Sequence, residues 1–132
     1  MKMGKISERR TWITHPTATV EIKKLIKEHP DYPITVLAGE EANDGEYPWM
    51  YCTNVTVDIE EILDCNTQYW KSEYVCTGRD DFEDSAVDII WDELSKKFGR
   101  SPTDEEQVAE WKKVKDAHEP YWKKCIAIKA WN

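Results

Sequence analysis

Carboxylates are the side chains in this sequence most able to do chemistry, and they fall into two groups. Glu40, Glu41, Asp44 and Glu46 lie within seven residues of VLAGEEANDGEYPWMYC, residues 36–52. Asp81, Asp84, Asp88 and Asp92 follow at steps of three, four and four residues. Such groups can hold calcium, work as an acid–base pair, or face a basic partner. The first group fails calcium spacing. An EF-hand loop needs oxygen ligands at positions 1, 3 and 5, Gly at 6 and Glu at 12. With Gly45 at position 6, Ala42 falls at 3 and Tyr51 at 12. A glycosidase-type pair must face across a cleft, an arrangement that neighbours in one short loop rarely reach. Asn43-Asp44-Gly45 is a tight-turn signal, because these residues tolerate positive φ. The segment reads as an acidic connecting loop, with partner contact as its functional alternative.

Other chemistries lack their signatures. His15, His29 and His118 form no H-x-x-x-H pair. No G-x-S-x-G, P-loop or dinucleotide fingerprint occurs, and the chain has only five glycines. Cys52, Cys65, Cys76 and Cys125 are irregularly spaced with no C-x-x-C pair, so no tight turn aims two thiolates at one zinc or redox centre. Buried free thiols are the expectation for them. No catalytic residue, no cofactor and no metal site is expected, and the chain reads as a non-enzyme.

Charge gives a direction. The net charge is −8 over 132 residues. Residues 1–30 carry +4, residues 31–110 carry −16 and residues 111–132 carry +4. An acidic middle disfavours direct nucleic-acid binding, because phosphate contacts need Lys and Arg. It favours a basic protein partner. No apolar run approaches the ~20 residues that span a bilayer, and MKMGKISERR is followed by no apolar signal region. No membrane association is expected, and the location expected is cytoplasmic.

The elements that must position these groups follow from periodicity. Residues 18–28 read as an amphipathic helix capped by Thr17, with Ile22, Leu25, Ile26 and His29 on one face. Residues 9–14 read as a short first strand and Ile34–Ala38 as a buried one. Trp49–Val57 alternates as a strand, DIEEILD (58–64) either extends it or turns into helix, and Tyr74-Val75-Cys76 reads as a strand fragment. Residues 80–98 are helical, with Phe82, Val87, Ile90, Trp91, Leu94 and Phe98 as the buried stripe and Gly99 as the stop. Thr103 and Glu106 fit a capping box for a helix whose apolar face is Val108, Trp111, Val114 and His118. Residues 123–131 alternate as a last strand. The class expected is α+β, a small, mostly antiparallel β-sheet packed against about three α-helices. Residues 1–132 read as a single domain, with residues 1–16 as an N-terminal extension.

On the helix at 80–98 the four aspartates form one row, spaced on average about 5–6 Å apart along the axis. Phosphates along one nucleic-acid strand are separated by a comparable distance. Like charges at this spacing cost a helix roughly 0.2–0.5 kcal/mol per pair. The helix macrodipole rewards acids in the first turn, but Asp88 and Asp92 lie well beyond it. A plain solvated face and a surface shaped for a basic groove both remain open. The seven Trp residues add candidate anchors: Trp91 and Trp111 fall on apolar helix faces, while Trp12, Trp49, Trp70, Trp122 and Trp131 lie near element ends.

Several segments carry a family resemblance: Glu21-Ile22-Lys23-Lys24-Leu25-Ile26, Pro30-Asp31-Tyr32-Pro33-Ile34, VLAGEEANDGEYPWMYC and the terminal EPYWKKCIAIKA, residues 119–130. Together they resemble small proteins of phages and mobile elements in Gram-positive bacteria. No catalytic residues come with the resemblance. In that context a small acidic chain is similar to anti-CRISPR proteins, including type II inhibitors, some of which present carboxylates where a nuclease expects phosphates. The resemblance implies an inhibitor of a host defence nuclease, with a CRISPR effector nuclease as basic partner. Glu40, Glu41, Asp44, Glu46, Asp81, Asp84, Asp88 and Asp92 are the partner-binding candidates. The alternative is a non-inhibitory binding or structural module of a mobile element.

Overall fold

The computed structural model describes residues 14–39, 45 and 48–132. Their order is α1 (Pro16–Glu28), β1 (Ile34–Ala38), β2 (Asn54–Leu63), α2 (Arg79–Phe98), α3 (Asp104–His118), a 3-10 turn (Glu119–Tyr121) and β3 (Trp122–Trp131). This is the α+β class expected. The strands form one sheet in the order β1-β3-β2, and the sheet is mixed. β1 runs parallel to β3, with Ile34 opposite Ile126 and Val36 opposite Ile128. A parallel pair needs a long crossover between its strands, and here the chain from residue 39 to 121 supplies it. Residues 1–59 with 125–132 form one compact unit, and residues 60–124 form a second. No helix among the described residues is long and apolar enough to cross a membrane.

In the first unit, α1 starts at Pro16 rather than after a Thr17 cap. Proline fits the first helical turn because the N–H it lacks would have no helical partner there. His15 is the N-cap residue, but its ring does not cap the helix; Nε2–H donates to the Cys52 carbonyl at 2.9 Å. β1 has the bounds its sequence predicts but not the burial, since Ile34 is 51% and Val36 67% exposed. It is the end strand of the described sheet, whereas the central β3 buries Cys125, Ile126 and Ala127. Gly39 continues the β1–β3 pairing, donating to the Ala130 carbonyl at 2.7 Å. A Cβ there would stand 2.7 Å from the Trp131 Cβ, so only glycine permits this approach. The strand expected from Trp49 begins only at Asn54. Just before it, the Thr53 N–H bonds the Asn132 side chain instead of a strand carbonyl, and Trp49 is 90% exposed. At its other end β2 reaches Leu63, so most of DIEEILD extends the strand. The strand read at 9–14 falls, but for Thr14, outside the described residues, and Thr14 is a bend.

The second unit is built on α2 and α3. Gly99 ends α2 in the left-handed region (φ 67°), and its N–H bonds the Ser95 carbonyl at 2.9 Å. The buried stripe of α2 is Phe82, Ala86, Ile90 and Leu94, at strict steps of four. Val87 is only half-buried, and Trp91 and Phe98 are exposed, contrary to the pattern read from hydrophobicity. Trp91 is turned about 100° from Ile90, and the small Ala86 takes the place in the stripe that its size hid. α3 has both halves of the Thr103–Glu106 capping box. Val114 is buried, but Val108 is exposed, because it sits about 120° around the helix from Val114, off the Gln107–Trp111–Val114–His118 face. Leu63, Cys76, the α2 stripe and Val114 form the core, flanked by Cys65, Tyr69, Trp70, Trp111 and Trp122. Residues 74–76 are not a strand. Cys76 is buried there and its carbonyl accepts the Leu63 N–H at 3.1 Å.

Candidate functional site

The aspartate row survives as geometry. Asp81, Asp84, Asp88 and Asp92 all lie on α2 and all are exposed. At about 100° per residue they sit half a turn from the Phe82–Leu94 stripe, so burying the stripe forces the row outward. From Asp81 to Asp92 the row extends roughly 16 Å. Ion pairs among the described residues include Arg79 with Glu61 and Glu119, Arg100 with Glu106, and Lys113 with Glu110. No row aspartate belongs to any of them. Glu40, Glu41, Asp44 and Glu46 lie outside the described residues.

The acids that do find partners are glutamates. Arg79, the first residue of α2, is clamped between Glu61 on β2 and Glu119 in the 3-10 turn. Its Nε–H and one Nη2–H donate to Glu61 at 2.5 and 3.1 Å, while Nη1–H and the other Nη2–H donate to Glu119 at 2.7 and 2.9 Å. Four of the five guanidinium donors are thus engaged. The hydrogen bonds from Arg79 hold both carboxyls below their ordinary range, and the two carboxylates raise Arg79 in turn. On α3, the Arg100 hydrogen bond and the Thr103 backbone N–H bring Glu106 down to about 2. Sequence reading missed the clamp because its members lie 18 and 40 residues from Arg79. Only the fold brings them together, and no local pattern signals them.

Beside the clamp lies a cleft of about 240 Å³. Phe82, Trp111 and Trp122 form its aromatic wall, and Asp80, Glu83 and Lys115 line it together with Arg79. Phe82 meets Trp111 and Trp122 with ring centroids 5.8 and 6.0 Å apart. The Arg79 guanidinium carbon lies 4.9 Å from the Trp122 ring centroid.

The nucleophile and base types have other roles. His118 Nδ1–H donates to the Val114 carbonyl at 2.6 Å, and Nε2 accepts from the Thr67 hydroxyl at 2.7 Å. Its ring packs on Phe82, so it is a half-buried, packed histidine beside the core. Among the described residues no disulfide forms; Cys76 and Cys125 are buried and Cys52 and Cys65 partly so. Burial raises the thiols of Cys65 and Cys76, which keeps them protonated. Among the described residues no three His, Cys, Asp or Glu side chains gather as a metal site.

No protein-family model, no curated protein and no solved structure matches this chain.

Proposed function

We propose that the chain is a phage or mobile-element inhibitor that binds a host defence nuclease, a type II CRISPR effector, without catalysing a reaction. The row on α2 would occupy a Lys- and Arg-lined groove made for a nucleic-acid strand. The observation that carries this reading is the exposure of Asp81, Asp84, Asp88 and Asp92 on one helical face with none of them in an ion pair among the described residues, while Glu61, Glu106, Glu110 and Glu119 are paired. A helix stabilised for its own sake would set Lys or Arg three or four residues from each acid. Here only Asp92 has a candidate, Lys96, and no bond joins them. Charge complementarity of this kind speeds association and selects the partner more than it adds affinity. Glu40, Glu41, Asp44 and Glu46 are kept as partner-contact candidates on their charge alone. The test is affinity for the purified effector across a salt series. The proposal expects binding to weaken steeply as salt rises, and salt-insensitive binding would contradict it.

A second reading, a non-inhibitory protein-binding module of a mobile element, is favoured by the exposed Ile34, Val36, Trp49 and Tyr51 of the first unit. Recovery of element-encoded proteins rather than a nuclease with the tagged chain would select it.

A further inference from the structure

The cleft beside Arg79 is unused by the aspartate row, and its chemistry singles out an occupant. Its volume, about 240 Å³, falls below the ~300–1,000 Å³ of small-molecule pockets and suits one long side chain. Its wall is aromatic, from Phe82, Trp111 and Trp122. An anion would find little to bind. Arg79 has four of its donors in Glu61 and Glu119, and those two carboxylates outweigh its single charge. The other charged lining residues are two carboxylates, Asp80 and Glu83, and one ammonium, Lys115. Lys115 also lies close enough to Glu119 to lower its carboxyl. The local balance is therefore negative around aromatic rings, the setting that favours a cation over an indole face. Arg79 on Trp122 already shows one such contact.

We infer that this cleft receives an arginine side chain of a basic partner, its guanidinium stacked on the Trp111–Trp122 wall and bonded to Asp80 or Glu83. A planar guanidinium fits better than an ammonium, because it stacks on the rings and can still offer in-plane donors to a carboxylate. Asp81 and Asp84, on the same helix, continue the negative surface from the cleft into the row. The inference rests on the proposed function: the row attracts the basic partner and the cleft seats one of its arginines as an anchor.

The test uses the full chain and a short alternating Gly-Arg peptide, with Gly-Lys and Gly-Glu peptides as controls. Indole N–H signals of Trp111 and Trp122 and backbone signals of α2 are followed by NMR. The arginine peptide should shift both indoles saturably. Asp80→Asn with Glu83→Gln should weaken its binding at least threefold, and Trp111→Leu about tenfold. Asp88→Asn with Asp92→Asn should weaken binding yet leave the indole shifts at saturation unchanged. Shifts confined to the aspartate row would overturn the cleft assignment and leave the acidic-surface reading standing. Indole shifts with no loss of affinity in the Asp88/Asp92 variant would do the reverse. Silence at both places would remove both. An equal indole response to the lysine peptide, or any response to the glutamate peptide, would overturn the guanidinium assignment.

Discussion

Two groups of acids in the second unit carry the same charge and do opposite things. Glu61 and Glu119 turn toward Arg79 and tie β2, the start of α2 and the turn after α3 together. Asp81, Asp84, Asp88 and Asp92 turn away from the core and have no ion-pair partner among the described residues. Side-chain length helps explain the division. The longer glutamates reach across elements to a fixed guanidinium, whereas a short aspartate on a straight helix meets only its own face. Acidity that closes on the protein supports the fold. Acidity left open costs the helix a little.

The largest effect that would sharpen this contrast is on binding. Replacing the four row aspartates with asparagine should weaken affinity for a basic effector at least tenfold at low salt and flatten its salt dependence, measured by calorimetry. Retained affinity would remove α2 from the interface. Next is stability. Arg79→Met leaves Glu61 and Glu119 without their donor and should cost about 1–2 kcal/mol in urea unfolding, the charged-hydrogen-bond value reduced because Arg79 is 39% exposed. Thr103→Ala removes one half of the α3 capping box and should cost about 1 kcal/mol by the same measurement.

The pH dependence separates the two groups further. Glu61 and Glu119 have folded-state values below the ordinary 4.5. Their contribution is fully present above that value and disappears as pH falls through the lower folded value. The stability gap between the wild type and Arg79→Met should therefore hold steady at neutral pH and shrink below about pH 4.5. The smallest effect belongs to the row. Its asparagine variant should be as stable as the wild type or up to ~1 kcal/mol more stable, because like charges are removed. A clear loss of stability there would show that the row supports the fold after all.

How far the sequence foretold this follows from which interactions are local. The α3 capping box, the Gly99 stop and the bounds of β1 each depend on a few adjacent residues, and each was legible. The aspartate row was legible too, since helical spacing fixes its face. Burial was harder. Ile34 and Val36 read as core by residue type, yet β1 lies at the end of the described sheet and exposes them. Ala86 is fully buried, and no hydrophobic weight announced it. The parallel β1–β3 pairing, the Arg79 clamp and the aromatic cleft join residues far apart in the chain. Nothing in local spacing encodes them.

The central claim is that the unpaired row is there for a nuclease groove. Its most direct test is DNA cleavage by a purified type II CRISPR effector, titrated with the wild type and with the Asp81/Asp84/Asp88/Asp92→Asn variant after both are shown to be folded. The account predicts dose-dependent inhibition by the wild type and at least a tenfold weaker effect from the variant. Equal inhibition by the two, or no inhibition by the wild type, would contradict it.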